Sequence, residues 1–239
     1  TTMETDLKLD QHISQRFDEE LETRRAKVRE MGGLVERQVV VGSEARVSNA
    51  AELGQLVVDR DSQVNALEVE IDEACVEIIA RRQPAASDLR LIVSIIKTIT
   101  DLERIGDQAE KLGAYAIQLN DENVTADKYI NLDNISSIAI NVLRKSLDAF
   151  ARGDVSVALK AARKDSKVDK EYDFVLRQLI TYMMEDPREI KNVMRVLWAA
   201  RALERVGDHA KNIGEYVVYL VKGKDIRHTQ PIPKAKHLE

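Results

Sequence analysis

Aromatic side chains are scarce in this chain: they make up 4% of its 239 residues, with one tryptophan and three phenylalanines. Glycine and proline are also few, at ten and four. A sandwich or barrel needs aromatic and β-branched strand residues and frequent turn punctuation, so these deficits point to long helices instead. A single cysteine, Cys75, excludes a disulfide framework and a thiolate zinc site within one chain. The four histidines do not cluster in the sequence, which leaves structural zinc without ligands. No apolar run reaches the ~18 residues of a membrane span, and mean hydropathy is −0.32. The opening Thr1-Thr-Met-Glu-Thr-Asp6 is polar and lacks a signal-peptide core. With the lone thiol, this leads us to expect a reducing cytoplasm. Net charge is −5, which argues against nucleic acid as the main partner.

What the chain does have is charge, 32% of residues, laid over a helical period. Ile13, Phe17, Leu21, Val28, Met31, Leu34 and Val35 recur on one side of a predicted helix over 9–41. Gly42-Ser43 predicts a break, and Ser48-Asn49 a helix start. A second helix is expected over about 49–82, ended by Gln83-Pro84, and a third from Ser87 to about 119. Asp121–Asp127 is polar and reads as a connection. Three more helices follow, over about 130–152, 155–184 and from Asp186-Pro187 to about 222. Gly153-Asp154 reads as a left-handed helix end followed at once by an N-cap. Asp186-Pro187 reads as an N-cap with proline in the first turn. Pro231-Ile-Pro233 marks a tail.

The chain repeats itself. Leu102-Glu-Arg-Ile-Gly-Asp107 returns as Leu203-Glu-Arg-Val-Gly-Asp208, 101 positions later. Ala109/Ala210, Gly113/Gly214 and Tyr115/Tyr216 follow in the same register. In the middle helices Asp61-Ser-Gln-Val64 matches Asp165-Ser-Lys-Val168 at an offset of 104, as a shorter loop before the last helix requires. The expected fold is therefore all-α: two tandem antiparallel three-helix bundles, six helices in all, related by an internal repeat. The expected units are residues 8–120 and 128–224, with a tail over 225–239.

Each motif copy places Glu and Asp four apart on one helical face, Glu103 with Asp107 and Glu204 with Asp208. Gly106 and Gly207 sit on the same face, where mid-helix glycine costs about 1 kcal/mol against alanine. The same cost in the same register twice indicates that the site needs room. The middle helices add acids: Asp165, Asp169 and Asp173 in a row in the second unit, Asp61, Glu68 and Asp72 in the first. Antiparallel packing would give each unit a carboxylate patch that repels itself unless cations neutralise it. Oxygen-only ligands suit magnesium, calcium, manganese or ferric iron. Solvated helix faces paired by Arg104 and Arg205 are the competing reading. Diiron oxidase chemistry needs Glu-x-x-His in its helices, and here glycine stands in the histidine position both times. A paired-metal phosphohydrolase would need an open metal position and a base. There is no phosphate-cradling glycine loop, nucleophile elbow or HExxH, so no enzyme is expected. Cys75, Trp198, Met183, Met184, Tyr216 and Tyr219 read as core or contact residues, and His209 as a surface or packing residue.

Taken in order, several stretches bring a known family into view. These are His12-Ile-Ser14 with Phe17, Met31-Gly-Gly33, Arg82-Gln-Pro84 through Asp88-Leu-Arg90, the repeated motif, Tyr182-Met-Met-Glu185, and Lys222-Gly223 through Arg227-His228. Over roughly residues 8–228 the chain resembles the PhoU family of bacterial phosphate-signalling regulators. The resemblance implies tandem three-helix bundles whose acidic motifs hold metal ions, iron or zinc clusters among them. Carried over, the metal positions are Glu103, Asp107, Glu204 and Asp208, with Asp169 and Asp173. Asn65 and Val69 replace the last two in the first unit, where Glu68 and Asp72 are the available substitutes; the first site is then expected to be the weaker one. The metal itself is left open among iron, zinc, manganese, magnesium and calcium. The resemblance also implies a cytoplasmic negative regulator of the phosphate regulon and of phosphate uptake. It would act as an adaptor between the phosphate ABC transporter, through its ATPase subunit, and the phosphate sensor histidine kinase. A homodimer is expected, with membrane association only through partners.

Overall fold

A computed structural model of the chain describes residues 2–48, 51–229 and 232–233. Six long helices carry it: α1 (Thr2–Ser48), α2 (Ala51–Arg82), α3 (Ala86–Asp121), α4 (Asp133–Arg152), α5 (Val155–Glu185) and α6 (Ile190–Lys222). Short 3₁₀ turns at Ala126–Lys128 and Pro187–Glu189 lead into α4 and α6. No strand occurs among the described residues. α1, α2 and α3 pack on one another, as do α4, α5 and α6, and α3 lies along α6.

Local signals account for several helix ends. Gly153 closes α4 at φ 65°, and the Asp154 carboxylate accepts from Val157 N at 3.0 Å to open α5. Asp186 accepts from Arg188 N at 3.2 Å, but the turn that holds Pro187 is 3₁₀ and α6 proper starts at Ile190. Other boundaries also depart from expectation. α4 starts at Asp133 rather than 130, because the chain first makes the 3₁₀ turn around Ala126. And Gly42-Ser43 is no break: α1 runs through both. A Cβ on Gly42 would lie 3.1 Å from the Ala109 carbonyl oxygen and 3.2 Å from Leu112 Cβ, so this glycine serves close helix packing. The expected cap at Asn49 and the tail residues Gln230, Pro231 and 234–239 lie outside the described residues.

α3 and α6 are the central helices. Ile92, Ile95, Ile99, Leu102, Ile105 and Leu112 on α3 are buried, as are Val193, Val196, Leu203, Val206 and Ile213 on α6. Small residues bring neighbouring backbones close. Gly113 on α3 faces Gly54 on α2, and a Cβ on either would come within 2.6 Å of the other's carbonyl oxygen. Neither backbone can yield without prising α2 from α3. Gly113→Ala should therefore cost about 1–3 kcal/mol net, although alanine is the better helix former by about 1 kcal/mol. Urea unfolding at constant m-value checks this.

α3 and α6 cross antiparallel. Lys191 Nζ reaches Glu122 at 2.6 Å at one end, and Lys97 Nζ lies 5.3 Å from the Tyr219 ring at the other. Gly106 lies 16 residues before Glu122 and Gly207 lies 16 residues after Lys191, so the two glycines stand level where the helices cross, and a pseudo-twofold axis relates the pair. The duplicated motifs are thus related across the α3–α6 crossing.

Candidate metal centres

Antiparallel packing of α5 on α6 sets Asp165 and Asp169, one turn apart, against Asp208. One oxygen of each lies within 4.8 Å of the others. Between α2 and α3 the matching group is Asp61, Asp107 and Glu110. The structure thus brings three of the sequence-predicted residues, Asp107, Asp169 and Asp208, into tight carboxylate nests. Glu103 and Glu204 stand one turn back on the same helices, and the charges of the nests act on them: Asp107 and Asp61 on Glu103, Asp208, Asp169 and Asp165 on Glu204. Glu68 and exposed Asp173 lie farther along the middle helices, within range of Asp107 and Asp169 respectively, and Asp72 acts on Glu68.

Asp61 and Asp165 are a repeat-matched pair in the sequence but do not belong to the metal positions that the resemblance implies. Glu110, one turn beyond Asp107, has no counterpart acid in the second unit and does not stand out in the sequence. Its signal was the i, i+4, i+7 run of Glu103, Asp107 and Glu110.

Burial decides the electrostatics. Asp165 is 3% exposed and Glu204 8%. Desolvation, then the neighbouring carboxylates, pushes the Asp165 carboxyl up to about 6 against the pull of Lys211, and Glu204 to about 7 against Arg201. Asp61, Glu68, Glu103, Glu110 and Asp169 are raised as well, each chiefly by burial. Glu204 Oε1 accepts from Arg201 Nη1 at 2.8 Å, so the arginine that meets it is Arg201 rather than Arg205. Asn65, in the place of Asp169, donates to Asp61 Oδ2 at 2.9 Å.

The nests pass a test for cations. Asp61 Oδ1, Asp165 Oδ1 and Glu204 Oε2 are buried and meet no hydrogen-bond donor among the described residues. The first two border the space left by the motif glycines, 3.6 Å from a Cβ placed on Gly106 and 3.2 Å from one on Gly207. A buried carboxylate oxygen without a partner is costly, and a hard cation would supply the missing partner. The donors in both triads are all oxygen, a set that fits magnesium, calcium, manganese or ferric iron better than zinc.

A second polar cluster joins the two halves. Asp101 on α3 is 4% exposed. Its Oδ2 accepts from the Tyr216 hydroxyl at 2.7 Å, and its Oδ1 accepts from Asn212 Nδ2 at 3.2 Å and faces His209 Nδ1 at 2.7 Å. An ionised carboxylate only accepts, so the His209 proton is placed on Nδ1. Burial and Asp101 together hold the Tyr216 hydroxyl well above its ordinary range. His209 and Tyr216 are therefore neither surface nor plain core. Across the pseudo-twofold axis, Tyr115 meets Trp198 at 5.8 Å between ring centroids, in the place where Tyr216 has Lys97 over its ring. Trp198 is half exposed and Met184 exposed, so neither is core.

Fold and nests define a class: an all-helical protein built from a duplicated three-helix unit, each unit with an oxygen-only carboxylate nest on its last two helices. A family model described as PhoU domain matches residues 28–116 and again 132–217. The chain belongs to the PhoU domain family. A relative from Pseudomonas putida, named phosphate-specific transport system accessory protein PhoU homolog, is 52% identical over 220 residues, 92% of this chain and 86% of that one. The crystal structure of PhoU from Pseudomonas aeruginosa superposes with a TM-score of 0.84 at 51% identity, covering 87% of this chain and 100% of that one. That of the phosphate transport system regulatory protein PhoU from Streptococcus pneumoniae gives 0.80 at 29% identity, covering 87% and 98%.

Proposed function

We propose that this chain is a non-enzymatic regulator attached to phosphate uptake. In this reading it is a cytoplasmic adaptor, active as a homodimer, between the ATPase subunit of the phosphate ABC transporter and the phosphate sensor histidine kinase. It represses the phosphate regulon when phosphate is plentiful, and it meets the membrane only through these partners. Its working units are 8–120 and 128–224, with 225–239 as a tail. The observation that carries the reading is the likeness of both halves to the PhoU domain, within relatives named for phosphate transport and its regulation. Physical chemistry is compatible with it: helical faces present binding surfaces at low ordering cost, and a signal acts by favouring one bound state over another.

Metal-binding carboxylates are part of the proposal. Asp61, Asp107 and Glu110 would hold a hard cation in the first unit and Asp165, Asp169 and Asp208 one in the second. Glu103 and Glu204 flank the two nests, with Glu68, Asp72 and Asp173 at their outer edge. The cation would supply positive charge that tightens the packing of the last two helices in each unit. Deletion of the gene should leave phosphate-starvation genes expressed in phosphate-rich medium, read by a reporter for the regulon. Affinity capture of the protein from phosphate-replete cells should retain the transporter ATPase and the sensor kinase. Normal repression in the deletion strain would overturn the regulatory role.

A further inference from the structure

The repeat that pairs the two nests also shows where they differ in charge. Glu110, one of the three carboxylates of the first nest, is matched by Lys211 in the second. Lys211 Nζ lies 3.3 Å from Asp165 Oδ2, with the side chain only 25% exposed. Asp208 and Glu215 also act on that ammonium. The second nest therefore carries a cation of its own, tethered to the helix that bears Asp208. The first nest has a third acid there instead.

A third helix sharpens the contrast. Gln38 on α1 is 3% exposed, and neither its amide nitrogen nor its oxygen meets a hydrogen-bond partner among the described residues. Its Oε1 lies 3.7 Å from a Cβ placed on Gly106, at the same gap that Asp61 Oδ1 borders. A buried amide without partners is an observation independent of the acids, and it points to an occupant of that gap which the amide oxygen coordinates. In the second nest the unpartnered Asp165 Oδ1, itself 97% buried, borders the equivalent gap at Gly207; its other oxygen is held by Lys211.

We infer that Lys211 is a built-in counter-ion of the second nest, so that a hard cation binds the first nest more tightly and enters the second only against the lysine charge. This rests on the reading of the nests as cation sites, and it reverses the ranking expected from Asn65 and Val69. The physical ground is repulsion. A divalent ion among Asp165, Asp169 and Asp208 sits within a few ångströms of an ammonium that is only partly solvated, where charge is weakly screened. In the first nest the same position adds attraction.

Titration of cation-free protein with Mn²⁺, followed by calorimetry and by the paramagnetic signal of free Mn²⁺, tests this. Two affinity classes are expected, the tighter abolished by Asp107→Ala and the weaker by Asp208→Ala. Lys211→Gln should tighten the weaker class at least tenfold, and Glu110→Lys should weaken the tighter class by a similar factor. Lys211 and Glu110 are both partly exposed, and circular dichroism of each variant confirms that it is folded. A weaker class that survives Asp208→Ala, or an unchanged affinity in folded Lys211→Gln, overturns the role of Lys211 and leaves the cation sites standing. No Mn²⁺ bound to any form overturns the cation reading itself.

Discussion

Asp101→Ala should lower stability by about 3–5 kcal/mol, the range for removing one partner of a buried charged network. Asp101 is where the two halves are pinned, because its acceptors are reached by His209, Asn212 and Tyr216, all on α6. Alanine leaves the Tyr216 hydroxyl and the His209 ring N–H buried without a partner, and it opens space at the α3–α6 crossing. Asp101→Asn is the informative companion. It keeps the shape and one acceptor, so its loss should be roughly half as large. Since the cluster spans the two halves, the loss should show as earlier separation of the halves and not as fraying of one end. Amide exchange along α3 and α6 reads this directly: protection near Asp101 and Tyr216 should fall together, while that of Val28 and Val35 on α1 falls less. Equal stability of Asp101→Ala and the parent in chemical denaturation would show that the network is not a pin.

Sequence periodicity and the repeat carried the helices and the two-unit plan. Apolar spacing on six long segments leaves little alternative, and Gly153-Asp154 states its turn chemistry outright. Gly42 misled because a glycine's local cost in a helix is visible in sequence, whereas its gain, contact with the Ala109 carbonyl, is not. The repeated motif was legible, the matched pair Asp61 and Asp165 was visible only as part of the acidic stripes, and most positions where the halves differ were hidden. Asp107 and Asp208 repeat, so they stood out. Glu110 faces Lys211 in the alignment, Asp101 faces Ala202 and His209 faces Gln108, so a search for matched positions passes over all of them. Asp101 and His209 meet only because α3 and α6 run antiparallel across the pseudo-twofold axis, a long-range fact that no local window contains. Duplication thus marks the shared acids, and divergence between the copies marks positions where the halves make different contacts.

A hard cation should raise the melting temperature of this protein, and more so at pH 8 than at pH 5. Asp165 and Glu204 have ordinary values of 3.8 and 4.5, which the unfolded chain keeps, and folded values of about 6 and about 7. Between about pH 4 and pH 7 the folded protein therefore holds protons that the unfolded chain has released. Stability of the cation-free protein falls as pH rises through that window and levels off above it. Both side chains are buried, so the effect is on the order of a few kcal/mol in total. Bound cations reverse the trend, because above pH 7 the carboxylates are already ionised and no proton has to leave. At free cation near 100 times Kd the gain per site is about 2.7 kcal/mol. Glu204→Gln separates the two effects: it removes a buried charge whose Oε2 has no partner among the described residues and keeps its shape. Without cations it should be more stable than the parent at pH 8, by about 1–3 kcal/mol, and should show a flatter pH profile. Thermal melts from pH 5 to 8, with Mn²⁺ and with chelator, measure both. A cation-free protein whose melting temperature rises from pH 5 to 8 would mean that these two carboxylates are not held protonated by burial, and a Glu204→Gln protein no more stable than the parent at pH 8 would place the strain elsewhere in the fold.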